Sequence, residues 1–304
     1  MRILKERPMR ISLWMALVLT SAAAGLAQSV VVLEWSLQDQ WLVRIPVDLE
    51  TDSLVFERQS LPPFLHHDWC PLYKSKVIFA GLDTIFLLSG RELDTLYCGI
   101  DSAISDVVAT PSACYFREWE DEQTESSLLK RIDLSTKHTT TLRLSPTLSF
   151  CGLNIMPNEA KMSFFQVIER PDPDEDVFRY IVYDTQTRQI TIIDSVENTR
   201  IESFGIPELD GTLSTWDGEG NLLYFRLDHG SKKGRIYRYD THTMKRSKAF
   251  DVPEECFRPG FAYHRGLYFF VQGNALVSFD IHGNKKVLYK ARSEYTLLPK
   301  IYIR

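Results

Sequence analysis

The segment "IYRYDTHTMKRSKAF" (236–250) restates an earlier one, "YIVYDTQTRQITII" (180–193), and four further segments follow the same plan. They are "LVRIPVDLETDSLVF" (42–56), "TIFLLSGRELDTLY" (84–97), "LLKRIDLSTKHTTTLRL" (128–144) and "ALVSFDIHGNKKVLY" (275–289). Each is a β-prone run, a polar turn and a second β-prone run. The turns begin at Asp48, Ser89, Asp133, Asp184, Asp240 and Asp280, at spacings of 41, 44, 51, 56 and 40 residues. Those spacings are the length of one four-stranded propeller blade. A turn aspartate accepts hydrogen bonds from the backbone N–H groups that follow it, so its role is structural. The expected fold is all-β: a six-bladed β-propeller of four-stranded antiparallel blades.

A second element precedes five of the hairpins, a turn followed by a short apolar strand. These are "YKSKVIFAG" (73–81), "TPSACYFRE" (110–118), "MPNEAKMSFFQV" (156–167), "WDGEGNLLYFR" (216–226) and "YHRGLYFFVQ" (263–272). Apolar residues run consecutively in them, which predicts burial on both faces, as for a blade packed between two neighbours. Blade 1 has only three strands of its own, "VVVLEW", "WLVRIPV" and "SLVFER". The terminal "LLPKIYIR" (297–304) is left over and is expected to supply the inner strand of blade 1, closing the ring and removing its free edges.

"WDGEGNLLYFR" and "MPNEAKMSFF" resemble the Ser-Pro-Asp-Gly-x-x-hydrophobic-x-Phe repeat of TolB-like six-bladed propellers. The resemblance runs through the chain after residue 27, in degenerate form; Trp216-Asp217-Gly218 keeps part of the motif. TolB has a separate α/β domain ahead of its propeller, whereas here strands begin at once. The resemblance therefore implies the fold rather than TolB's role.

The first 27 residues read as an export signal: Arg2, Lys5, Arg7 and Arg10, then "ISLWMALVLTSAAAGLA", ending in the small-x-small pattern Gly25-Leu26-Ala27. Met9 is an alternative start, and an uncleaved anchor is the alternative reading of the uncharged stretch 11–33. Cleavage leaves a single propeller domain over 28–304, with no stable membrane span, in the periplasm or secreted. It also moves the net charge from −5 to −8, which disfavours nucleic acid as a partner. The five cysteines, Cys70, Cys98, Cys114, Cys151 and Cys256, are odd in number and lack motif spacing. Export permits disulfides, yet buried apolar thiols are the simpler expectation.

Strand order sorts the loops by face. Loops between the second and third strands of a blade (B–C) open on the same side as the crossovers between blades. The A–B and C–D turns open on the other side. The B–C loops of blades 2 and 6 are short, "AGLDT" and "QGN". Those of blades 3–5 are long and charged: "REWEDEQTESS" (117–127), "ERPDPDEDVFR" (169–179) and "RLDHGSKKG" (226–234). Long loops on a rigid scaffold favour binding. The candidate partner-binding residues are Trp119, Glu120, Asp121, Glu122, Asp172, Asp174, Asp176, Asp228, His229, Lys232 and Lys233. Two readings of Trp119 stand: stacking on a sugar, an aromatic or a proline, or folding back on its blade.

Asp172, Asp174 and Asp176 have the alternate spacing of a calcium loop, but Val177 and Tyr183 occupy the positions where such a loop needs glycine and glutamate. Adjacent His66 and His67 point to opposite faces of a strand and do not easily share an ion. No metal or cofactor is therefore expected. Motifs of serine hydrolases, zinc proteases and nucleotide-binding loops are absent from the sequence. Three functional classes remain. The first is a non-catalytic binding propeller that holds a protein, peptide or glycan. The second is a divergent hydrolase or lyase acting at the channel mouth, with His66, His67, Asp101, Asp106, Arg200, Glu202 and Arg258 as candidates. The third is an anchored assembly factor.

Overall fold

Six four-stranded antiparallel sheets stand around one axis. The computed structural model describes residues 28–36, 39–47, 57–61, 68–72, 76–99, 103–121, 126–142, 150–168, 177–197, 213–228, 233–256, 260–293, 295–298 and 300–303. For Glu120, Asp121, Asp228 and Lys233 it describes the backbone alone.

Blade 1 holds β1 (Ser29–Trp35), β2 (Gln40–Pro46) and β3 (Glu57–Leu61). Blade 2 is β4 (Trp69–Pro71), β5 (Lys76–Ala80), β6 (Thr84–Ser89) and β7 (Glu92–Cys98). Blade 3 is β8 (Ala103–Ala109), β9 (Ala113–Asp121), β10 (Ser126–Asp133) and β11 (Thr139–Leu142). Blade 4 is β12 (Phe150–Ile155), β13 (Lys161–Ile168), β14 (Val177–Asp184) and β15 (Ile190–Glu197). Blade 5 is β16 (Ser214–Trp216), β17 (Leu222–Asp228), β18 (Lys233–Asp240) and β19 (Lys245–Asp251). Blade 6 is β20 (Phe261–His264), β21 (Leu267–Gln272), β22 (Ala275–Phe279) and β23 (Lys285–Lys290). The tail adds β24 (Thr296–Leu297) and β25 (Tyr302–Ile303), both antiparallel to β1.

The tail closes the ring as expected, with one difference: two short strands replace one continuous strand. Leu297 pairs with Glu34 and Tyr302 with Val31, and Leu298 N–H reaches Leu33 O between them. The tail then touches blade 2, where Tyr302 OH donates to Trp69 O at 2.8 Å and the two rings meet edge-on at 5.1 Å. The outer strand of blade 1 lies at Glu57–Leu61, later in the chain than "SLVFER" suggested; residues 48–56, with the Asp48 turn, lie outside the described residues.

Consecutive burial marks the second strands. Val77–Ala80, Met162–Phe165 and Tyr268–Val271 are buried residue after residue. Their side chains fill apolar clusters that each join adjacent blades, so the core is a set of seams between sheets. The outer strands β7, β19 and β23 are largely exposed. In blades 2, 4, 5 and 6 the pairing of the third and outer strands carries a register shift at an equivalent place, which twists each rim strand and blunts its free edge.

The C–D turns use their aspartates as expected. Asp133 Oδ1 accepts the N–H groups of Ser135 and Thr136, Asp184 those of Gln186 and Thr187, Asp240 those of His242 and Thr243, and Asp280 those of His282 and Asn284. All five cysteines are free thiols, four of them buried and Cys98 exposed.

Candidate functional site

The B–C face is built by hairpins of unequal reach. Counted from the C–D turn, the second and third strands pair over eight residues in blades 3 and 4 and seven in blade 5, but over only five in blades 2 and 6. At about 3.3 Å per residue, the hairpins of blades 3–5 stand roughly 7–10 Å taller. The strands continue through much of what the sequence suggested was loop: Arg117–Asp121 belongs to β9, Ser126 and Ser127 to β10, Arg226–Asp228 to β17 and Lys233 to β18. Trp119 is thus a strand residue, opposite Ser127 and Ala103, and the Arg117 guanidinium lies 4.4 Å over its ring. Its half-buried ring folds back on its own blade, the second of the two readings. Glu120, Asp121, Asp228 and Lys233 sit at the hairpin ends. Glu122, Asp172, Asp174, Asp176, His229 and Lys232 lie outside the described residues.

Asp106 is the one channel-mouth candidate within the described residues; His66, His67, Asp101, Arg200, Glu202 and Arg258 lie outside them. Asp106 sits at φ 55° in an irregularity of β8, where the register against β9 shifts between Ser105 and Val108. Its backbone N–H donates to Asp68 Oδ2 at 2.5 Å, and its carboxylate accepts Gly152 N–H at 2.7 Å and pairs with Arg117 Nε at 3.0 Å. Asp68 in turn pairs with Lys300 Nζ at 2.7 Å. The cluster ties the tail to blades 2, 3 and 4 at the ring axis. Burial pushes the Asp106 carboxyl up, against the pull of Arg117 and with the repulsion of Asp68. Burial opposes the charge on Lys300, but Asp68 and Tyr302 outweigh it and hold the ammonium above its ordinary range. Gly152 is required here: at φ 66° an added Cβ would lie 2.6 Å from the Phe165 ring. A glycine inside the apolar run "SFCGLNI" was the sequence signal for this close approach.

Polar groups also stitch the seams. Glu34, fully buried, accepts Tyr289 OH at 2.6 Å and pairs with Arg58, joining blades 6 and 1. Glu118 accepts Tyr97 OH at 2.6 Å and pairs with Lys130, joining blades 2 and 3. Between blades 4 and 5 the acid and the tyrosine exchange sides: Asp194 accepts Tyr224 OH at 3.0 Å and meets Arg226 and Arg246. These clusters use carboxylates that a sequence supplies in plenty; only the packing of blades brings each to its tyrosine. Asn274, in the short "QGN" loop, is a further residue the sequence did not single out: its amide bridges to Tyr295 O and Leu297 N and pins the tail.

On the opposite, A–B face the inner strands open into a cavity of about 470 Å³. Its wall comes from blades 4, 5 and 6 and the tail, and includes Asn154, Trp216, Asp217, Tyr263, Arg265 and Ile303. No group of three or more potential metal ligands gathers among the described residues.

Inner strands in contact around the axis, apolar seams between sheets and a tail paired into blade 1 define this chain as a six-bladed β-propeller. Several solved structures resemble it, the first of them in fold. A chain in the crystal structure of a nidogen/laminin complex is 11% identical, with a TM-score of 0.61 over 91% of this chain and 98% of that one. TolB from Acinetobacter baumannii is 13% identical, with a TM-score of 0.47 over 90% and 72% of the two chains. A puromycin-hydrolyzing peptidase from Mycobacterium tuberculosis is 12% identical, with a TM-score of 0.49 over 94% and 55%. These are likenesses of fold. No protein-family profile and no curated protein matches the chain.

Proposed function

We propose that this chain is an exported, TolB-like binding propeller, released from residues 1–27, that holds a protein, peptide or glycan on the B–C face of blades 3–5. One observation carries the reading: three consecutive blades raise their hairpins two to three residue pairs above those of blades 2 and 6. A closed ring gains no stability from longer hairpins that face solvent, and projecting segments on a rigid scaffold are where recognition concentrates. Their ends carry the acids of "EDE" (120–122) and "DPDED" (172–176) and the lysines 232 and 233, so a partner meets a patch of mixed sign. No helix among the described residues is long and apolar enough to cross a membrane.

The test is capture from the exported fraction with the tagged mature chain, against a variant carrying Glu120→Lys, Asp121→Lys and Glu122→Lys. The variant should lose its partner, since like charge set against a complementary surface costs several kcal/mol. Capture at undiminished affinity would remove the reading. The hydrolase or lyase alternative draws on the raised carboxyl of Asp106 at the axis. Under that reading Asp106→Asn abolishes turnover of an ester or glycoside panel.

A further inference from the structure

The cavity on the A–B face has a hydrogen-bonding imbalance. Arg265 lies in the two-residue turn between β20 and β21, at φ 46° and followed by Gly266 at φ 84°, so its side chain springs from a tightly fixed backbone at the cavity mouth. Its guanidinium has no partner among the described residues, and neither has the hydroxyl of Tyr263. Trp216 is only 8% exposed, and its indole N–H has no acceptor among the described residues. A buried donor is normally satisfied, so the Trp216 N–H is an unused hydrogen bond in this wall; Tyr263 beside it is half-buried and Arg265 at the mouth is exposed to solvent.

The acceptors nearby are already engaged. Asp217 receives the N–H groups of Glu219 and Asn221, and both Asp217 and Glu219 hold Arg238. Asn154 Oδ1 receives Ile155 N–H. Farther out on the same face, Asp240 and Asp280 are bound into their own turns. The stretch of chain that forms blades 5 and 6 is basic over its two faces together. Residues 213–293 hold 14 Lys and Arg against 8 Asp and Glu, in a chain whose net charge is −5.

We infer that this cavity is a second binding site, separate from the hairpin face, and that it takes a small ligand bearing a carboxylate. Arg265 receives the charge, and the Tyr263 hydroxyl gives a second hydrogen bond. Ile155 and Ile303 offer an apolar wall for the ligand body. A volume of about 470 Å³ suits a ligand of one or two residues or one sugar ring. Two sources share this chemistry, the free end of a peptide and a uronic acid.

The experiment is isothermal titration of the mature chain with two matched pairs: benzoylglycine against its amide, and galacturonate against galactose. At least one acid should bind, and its neutral partner should bind about tenfold more weakly or worse. The pair that shows the difference identifies the source. Arg265→Ala should weaken the acid by the same factor, and Arg265→Lys should recover part of it. Arg91→Ala, which removes the same charge from the same face at blade 2, should leave binding unchanged, and so should the triple reversal at residues 120–122. Equal binding of acid and neutral form, no binding of either acid at millimolar concentration, or wild-type binding by Arg265→Ala each overturns the inference. Thermal melts of the Arg265 variants that match the parent show that the ring is intact.

Discussion

Aspartates at the C–D turns and aspartates at the ring axis are the same chemical group in opposite surroundings. Asp184 lies in a solvent-facing turn, and the N–H groups of Gln186 and Thr187 hold its carboxyl below the ordinary range. Asp133, Asp240 and Asp280 are lowered in the same way, by hydrogen bonds from within their own turns. Asp106 shares the axis with Asp68, Lys300 and Arg117, and burial raises its carboxyl. The turn aspartates are local devices, each satisfied within four residues. The axial pair is a tertiary device, satisfied across 232 positions between Asp68 and Lys300. The difference teaches where this ring is vulnerable: losing a turn loosens one hairpin, whereas losing the axial cation leaves a buried carboxylate at the point where the circle closes.

The largest effect should follow from Lys300→Ala. It strands Asp68 in the interior and releases the tail, at a cost of about 3–5 kcal/mol, read as the midpoint shift in urea unfolding. Replacing both partners, as Asp68→Leu with Lys300→Met, should recover most of that loss. A double variant no more stable than Lys300→Ala would show that the pair does more than satisfy itself.

A smaller effect separates the two kinds of aspartate by pH. A carboxyl raised in the folded state stabilises the fold fully below its unfolded value, and that contribution is lost as pH rises through the folded value. Asp106→Asn removes this dependence, so the variant should gain on the parent as pH rises above the ordinary carboxylate value. The turn aspartates have the opposite sign. Their contribution is present above the ordinary carboxylate value and is lost as pH falls through the folded one. Asp184→Ala should therefore cost most near neutral pH and progressively less in acid. At pH 7 its expected cost is a Tm drop of roughly 2–4 °C, what about 1 kcal/mol gives in a chain of this size. Parallel pH slopes for Asp106→Asn and Asp184→Ala would break the comparison.

Much of the architecture was legible because its causes are local. The Asp-x-x-Thr turns recur in the sequence, and runs such as "LYFFV" announce strands buried on both sides. Where reading fell short, the missing term was pairing at a distance. "REWEDEQTESS" looks like a loop because its charges suit solvent, yet register against β8 and β10 carries β9 through Asp121. Sequence left two readings of Trp119 open, and only the fold sets the Arg117 guanidinium over its ring. The cavity on the A–B face is formed by blades 4, 5 and 6 and the tail, which meet only once the ring is closed.

The order of residues by itself determined the repeat, the four turns whose aspartates are satisfied by their own N–H groups, the sides on which loops emerge and the spare strand at the tail, since each depends on neighbours a few positions apart or on counting strands. The tertiary structure alone decided which acid meets which tyrosine or cation across a seam, that Asp106 rather than a turn aspartate is pushed up, and that donors without a partner among the described residues line the cavity at Arg265. Those outcomes depend on distances between segments remote in the chain, and on the water removed when the blades close around their axis.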